Sequence, residues 1–163
     1  MNNPKSDSLN VELNNLRLQS ILCDTTLTDD SGQTLQAHSV VLAAGIDILK
    51  NVLTMKESQH LIRTQGLTIK IRGVSIHIWN IILDYIYLRR VVLSIPMEIL
   101  KQLYVVAMML GIKSLMSNLD EAMSQTGIEL PPLADCNTSV DITLAPTKHA
   151  DSAASADEEV HVS

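Results

Sequence analysis

Asp24 and His38 are the two side chains whose types come nearest to acid–base chemistry, and they flank a single stretch of alternating residues. A carboxylate beside an imidazole can move a proton, but the spacing brings no nucleophile and no third orienting group to them. They read as structural polar residues at a strand end and a helix end. The other histidines, His60, His77, His149 and His161, and the two cysteines, Cys23 and Cys136, show no zinc spacing. No glycine-rich phosphate loop, G-x-S-x-G elbow, zinc-finger array or kelch-type repeat is present. The expectation is therefore no catalytic residue, no metal, no cofactor and no enzymatic activity.

The elements that hold Asp24 and His38 are legible. From Ile21 the chain alternates, with Cys23, Thr25 and Leu27 on one side and Asp24, Thr26 and Thr28 on the other, which predicts a strand with one buried face. Asp29-Asp30-Ser31-Gly32 supplies turn chemistry, with Gly32 free to take positive φ. Thr34 to Ala37 returns as a second strand. Val40-Val41-Leu42-Ala43-Ala44 begins a helix, for which Ser39 is the expected N-cap.

Upstream, Leu9, Leu13 and Leu16 mark a helical stripe capped at Ser8 or Asn10, while Val11, Leu18 and Leu22 lie off it. Burying three leucines stabilises by roughly 5 kcal/mol gross, more apolar surface than a short terminal helix covers alone. Downstream, Gly45 punctuates, and Ile46 to Leu53 gives a short helix with Asp47 in its first turn. Residues 54–66 read as a polar loop with some helix at most. Leu67, Ile69 and Ile71 alternate as a third strand ending at Gly73. Ser75 caps a helix carrying Ile76, Trp79, Ile82, Leu83, Ile86 and Tyr87, with Arg89 and Arg90 in its last turn; Trp79 reads as core. Residues 91–95 are an extended link. Pro96 opens the next helix, closed by Gly111, and a last helix runs from Lys113 to Gln125 and stops at Gly127. Leu130-Pro131-Pro132 marks a domain boundary. The order of elements fits an α+β domain with helices covering a small sheet.

Composition bounds what such a domain does. With 163 residues, 46% hydrophobic, there is enough for one domain with a real core, and with 2% aromatics and no Phe that core is aliphatic. Residues 128–163 hold seven acids and one base, so they carry the whole net charge of −6, and residues 1–127 hold eleven of each. A neutral domain with an acidic tail offers no footprint for nucleic acid, so no direct nucleic-acid contact is expected. The tail reads as disordered, although Val140, Ile142 and Leu144 alternate within it and could form an edge strand or a docked peptide. The first seven residues are polar, with no apolar core of a signal peptide, and the longest apolar run, Tyr104 to Ile112, is too short for a bilayer. Two unpaired cysteines fit a reducing compartment. A soluble, intracellular protein without membrane contact is the expectation.

Three segments resemble one family in the right order. Leu22-Cys23-Asp24-x-x-Leu27, a short hairpin, and Ala37-His38-x-x-Val41-Leu42-Ala43-Ala44 look like the signature of the BTB/POZ domain. Leu13-Asn14-Asn15-Leu16-Arg17 is similar to that family's first helix, and Leu83-Asp84-Tyr85-Ile86-Tyr87 to its later L-x-x-I-Y segment. The resemblance covers about residues 8–126. It implies the BTB/POZ fold, a small sheet flanked by a cluster of helices, over residues 8–127, between a disordered N-terminus (1–7) and the tail (128–163).

What the resemblance implies for function is protein–protein interaction: homo- or heterodimerisation with other BTB proteins and recruitment of partners. The implied dimer interface comprises Leu9, Leu13, Leu16, Arg17 and Asp24. Two contexts follow. Likeness to the BTB domains of zinc-finger regulators implies transcriptional regulation in the nucleus with a corepressor, this chain acting as a short isoform or modifier. Met55-Lys56-Glu57 faintly resembles the hydrophobic-x-Glu element of adaptor-type domains, implying a cullin scaffold contact through Met55 and Glu57 and a role as ubiquitin-ligase adaptor in nucleus or cytoplasm. As a bare sequence feature the same tripeptide is a solvated loop.

The chain departs from the family pattern in three places. Ser39 stands where a basic residue usually follows the histidine, so Asp24 loses its usual cation and is left to water, to backbone N–H groups or to another cation, for which Arg17 is the candidate. Gly45-Ile46-Asp47-Ile48-Leu49 replaces a small-residue-x-Tyr-Phe run, swapping aromatic for aliphatic core. Leu88-Arg89 follows Tyr87 where Thr-Gly is common, which should lengthen or reshape a helix end.

Overall fold

A computed structural model describes residues 4–89, 95–127, 140–147 and 160–162. In chain order the elements are α1 (Pro4–Leu18), β1 (Thr25–Thr28), β2 (Thr34–Ala37), α2 (Ser39–Gly45), α3 (Asp47–Leu53), α4 (Lys56–Thr64), β3 (Leu67–Ile71), α5 (Ile76–Leu88), α6 (Met97–Leu110), α7 (Lys113–Thr126), β4 (Ile142–Pro146) and β5 (Val160–Val162). The strands form one sheet in the order β2-β1-β3-β4-β5. β1 pairs antiparallel with β2, as the turn between them requires, and parallel with β3, because α2, α3 and α4 carry the chain back before β3 begins.

The hairpin turn is organised by Asp29. Its Oδ1 accepts from the Ser31 hydroxyl (2.6 Å) and from the backbone N–H groups of Ser31 and Gln33 (3.0 Å each), while Oδ2 accepts from Ile76 N (3.1 Å) at the start of α5. Gly32 takes the expected positive φ, +85°. β1 has no solvated face: Thr25 and Leu27 are buried, and so is Thr26, whose hydroxyl meets the Gln36 side chain across the strand pair at 3.0 Å. Parallel pairing with β3 gives it a neighbour on each side and helices above, which alternation alone did not disclose.

The core is aliphatic. Leu27, Leu42, Ile46, Leu49, Leu67, Ile69, Ile82, Leu83, Leu103, Leu110, Leu115 and Leu119 are fully buried, around a single fully buried Trp79. From the segment that departs from the family's aromatic run, Ile46 and Leu49 are fully buried and Ile48 packs against the core. Gly45 sits at a close approach: a Cβ there would lie 3.0 Å from Cβ and Cγ2 of Ile86, so Ile86 would have to give by a few tenths of an ångström to admit one.

Several boundaries differ from the sequence reading. α1 begins at Pro4, so Ser8 and Asn10 are interior and residues 4–7 belong to the helix; a proline at the first helical position has no N–H to leave unpaired. The helix closes in a Schellman motif. Ile21 N donates to Leu16 O (2.8 Å), Ser20 N donates to Arg17 O (3.0 Å), and Ser20 takes φ +57°. Residues 56–64 are a helix rather than a loop, because Ser58, Leu61 and Ile62 turn one side toward the domain and the charged residues face water. At α5, Ser75 caps as expected, accepting from Ile78 N at 3.2 Å. α5 is not lengthened by Leu88-Arg89. It ends at Leu88, and Arg89 is the left-handed C-cap (φ +58°), outside the last turn. Arg90 and the link expected over 91–95 lie outside the described residues up to 94, as does the boundary at Leu130-Pro131-Pro132.

One correction lies within the tail, at residues 142–146: of the two readings open for the Val140, Ile142, Leu144 alternation, the edge strand is the one found, β4, whose Ile142 and Leu144 are buried in the main core. The pairing with β3 supplies what a five-residue pattern lacks alone: a preformed edge with Leu67, Ile69 and Ile71 on the same period.

Candidate interaction surface

α1 packs against α5 with its polar side inward. At ~100° per residue, Leu9, Leu13 and Leu16 share an arc of about 60°, Asn10, Asn14 and Arg17 lie beside it, and Val11 and Leu18 lie opposite. Arg17 is only 3% exposed and Asn14 8%, whereas Leu9 is 62% and Leu18 65% exposed. Leu13 packs on the core and Leu16 is half-buried. Beyond the helix, Ile21 is exposed and Leu22, left-handed at φ +59°, is 80% exposed.

A buried charge explains this inversion. Arg17 donates through Nη2 to Asp84 Oδ1 (2.8 Å) on α5, through Nε and Nη2 to Asn14 Oδ1 (2.9 and 2.6 Å), and its guanidinium lies over the Tyr87 ring, 5.0 Å from the centroid. A guanidinium this deep is held by those partners together. Supplying them fixes the face that α1 presents to α5 and leaves Val11, Leu18, Ile21 and Leu22 outward.

Asp24 is not paired with Arg17. Its Oδ1 accepts from Ser39 N (2.7 Å) and Thr25 Oγ1 (3.1 Å), and its Oδ2 accepts from Ser39 Oγ (2.6 Å). So of the three ways to satisfy this carboxylate, the backbone N–H is the one used, assisted by the hydroxyl that replaces the usual cation. Ser39 is consequently the first residue of α2 rather than its N-cap. His38 is the cap residue, without a side-chain capping bond. The α2 N-terminus in turn places its positive end beside a carboxylate.

His38 joins three segments. Its Nε2 lies 2.9 Å from the carbonyl oxygen of Ile21, which can only accept, so Nε2 carries the proton. Nδ1 lies 2.7 Å from the Tyr87 hydroxyl, and that hydroxyl also accepts from His38 N at 2.9 Å. The phenol therefore donates to Nδ1. Burial, the main cause, pushes the Tyr87 pKa up to about 12. Cys23 Sγ is 3.7 Å from His38 Nε2; burial first, then the Asp24 charge, raise its pKa, so the thiol stays protonated. Asp24 and His38 do not touch each other through any of these bonds, and the arrangement orders α1, the hairpin, α2 and α5. It has the chemistry of a structural clasp.

Sequence reasoning missed Asp84 as the partner of Arg17 and Ser39 as the partner of Asp24. The second had a signal, a hydroxyl where a base is usual; the first, 67 residues away, had none. Met55 caps α4, half-buried, and Glu57 is exposed in its first turn. Among the described residues no three His, Cys, Asp or Glu gather as metal ligands, and no helix is long and apolar enough to cross a membrane.

Comparison with known proteins agrees with this architecture. A family model described as BTB/POZ domain matches residues 13–127. Two solved structures share the fold. The BTB domain of zebrafish PATZ1 is 22% identical, with a TM-score of 0.62, over 74% of this chain and 92% of that one. The BTB (Tramtrack and Bric a brac) domain of human Gigaxonin is 21% identical, with a TM-score of 0.60, over 74% of this chain and 93% of that one. No curated protein matches. BTB/POZ domains are protein-interaction modules that dimerise and bind partners. The chain belongs to the BTB/POZ family.

Proposed function

We propose that this chain self-associates through the outward side of α1 and the turn after it, and that the dimer recruits protein partners in transcriptional regulation in the nucleus. The exposure of Leu18 and Leu22, flanked by Val11 and Ile21, carries the reading. Exposed aliphatic side chains concentrated on one helix and the turn after it suit an interaction surface. Leu9 extends it from the other side of the helix, next to the half-buried Leu13 and Leu16. Arg17 and Asp24, satisfied within their own chain, hold the surface in place rather than reach across it. Pairing with other BTB chains uses the same surface.

Light scattering over a concentration series tests it. The wild type is expected to dimerise, and Leu18→Glu with Leu22→Glu to weaken dimerisation at least tenfold while leaving the fold intact. A wild type that stays monomeric at high concentration overturns the reading.

The recruitment context is tested separately. Affinity purification from cells is expected to recover transcriptional corepressors, with the protein in the nucleus. A second reading, an adaptor for a cullin-type ubiquitin ligase, is favoured by one observation: Glu57 projects from the exposed first turn of α4 beside Met55. Capture of a cullin that is lost on Glu57→Ala would select it, and nuclear exclusion would count against the transcriptional reading.

A further inference from the structure

The family match ends at residue 127, yet the sheet continues beyond it. Residues 13–127 contribute β2, β1 and β3, and the free edge of β3 is covered by β4, which begins at Ile142, beyond the family match. The contact is a regular antiparallel ladder. Arg72 N donates to Asp141 O (3.1 Å) at one end, and Thr147 N donates to Gly66 O (3.0 Å) at the other. Those two bonds fix the parity: Thr68, Lys70 and Arg72 turn their N–H groups toward β4, and Thr143 and Ala145 turn theirs toward β3. Leu67 N donates instead to Asp24 O (3.1 Å), so Leu67, Ile69 and Ile71 face β1.

Side chains give the edge selectivity. Ile142 and Leu144, two residues apart, enter the core, while Thr68 and Thr147 hydroxyls meet at 2.9 Å on the outer face. Pro146 falls where its missing N–H points away from β3, so it costs the ladder nothing. We propose that the β3 edge is a docking site for an extended peptide segment, filled here in cis by residues Val140–Thr147. The segment it accepts has two aliphatic residues two apart, small or hydroxylated residues between and after them, and no charge at the two buried positions. An incoming strand of this chemistry on a partner protein would compete with the tethered one. The inference does not depend on the dimer surface of α1.

Two measurements on the full chain test it. In the wild type, amides of Thr68, Lys70, Thr143 and Ala145 should exchange with deuterium as one group, at least tenfold faster than those of Leu67, Ile69 and Ile71, because release of β4 exposes only the first set. Exchange of both sets at one common rate overturns the proposal. In the second, a fluorescent peptide of residues 139–148 is titrated into the wild type and into Thr143→Pro, which removes a ladder bond. Binding should be at least tenfold tighter to the variant and be lost when the peptide carries Ile142→Asp and Leu144→Asp. Equal binding to both proteins, or indifference to the aspartates, overturns it. If Thr143→Pro does not fold, the wild-type exchange pattern decides alone.

Discussion

Ser39 donates both its backbone N–H and its hydroxyl to the Asp24 carboxylate, at 2.7 and 2.6 Å. A neutral side chain thus replaces the cation that family resemblance places there, and the carboxylate is satisfied without leaving its own subunit. Hydrogen bonds to charged groups contribute about 1.5–3 kcal/mol each. Asp24 is half-buried, so Ser39→Ala should lower stability by about 1–2 kcal/mol, read as a fall in the urea midpoint at fixed protein concentration. An unchanged midpoint would show that water serves Asp24 equally well.

The Arg17–Asp84 pair should couple. Removing one partner of a buried pair costs about 3–5 kcal/mol, but the Asp84 side chain is 41% exposed, which brings the expectation down to roughly 1–3 kcal/mol for Asp84→Ala. In a double-mutant cycle with Arg17→Met, a coupling near 1 kcal/mol or more is expected. Independent, additive losses would mean that Asn14 and the Tyr87 ring hold Arg17 by themselves.

Arg89 occupies a left-handed conformation that costs a non-glycine residue about 1–2 kcal/mol. Arg89→Gly should therefore raise the thermal midpoint, corresponding to about 1 kcal/mol of added stability. Ser20→Gly, at the corresponding place after α1, should act in the same direction. A lowered midpoint in both would remove the strain argument.

Alkaline pH should destabilise the clasp. The Tyr87 pKa rises from 10.0 to about 12 on folding, so the folded state keeps a proton that the unfolded state releases. The stability this contributes is fully present below pH about 10 and is lost as pH rises through about 12. Tyr87→Phe should flatten that limb of the stability curve, followed by the fluorescence of the single tryptophan, Trp79, and a limb of unchanged slope would assign the loss to other groups.

The Cys23 thiol should react slowly. With its pKa raised by burial and by Asp24, its alkylation by iodoacetamide near neutral pH should be slower than that of free cysteine, measured by mass spectrometry of the tryptic peptide. Faster reaction would mean that the thiolate is stabilised, contrary to the desolvation argument.

Local chemistry was enough for the hairpin, the Ser75 cap, the Gly111 and Gly127 stops and the alternation of β3, because each depends on residues within a few positions of one another. The family signature, too, is a local pattern, and it carried the fold. Three decisions were beyond it. Leucines at helical spacing mark an apolar stripe on α1 without saying what covers it, and the demand of one buried guanidinium for Asp84, far along the chain, sets which face turns in. Ser39 is an ordinary capping residue by type, and only the arrival of Asp24 beside the start of α2 makes it an anion-holding residue. The Val140–Leu144 alternation is too short to specify a strand, and becomes one because β3 presents an open edge in matching register. Sequence by itself determined the periods and the caps, which are properties of neighbouring residues. Tertiary structure decided which faces are buried, because that depends on partners for charges and strand edges that no local pattern names.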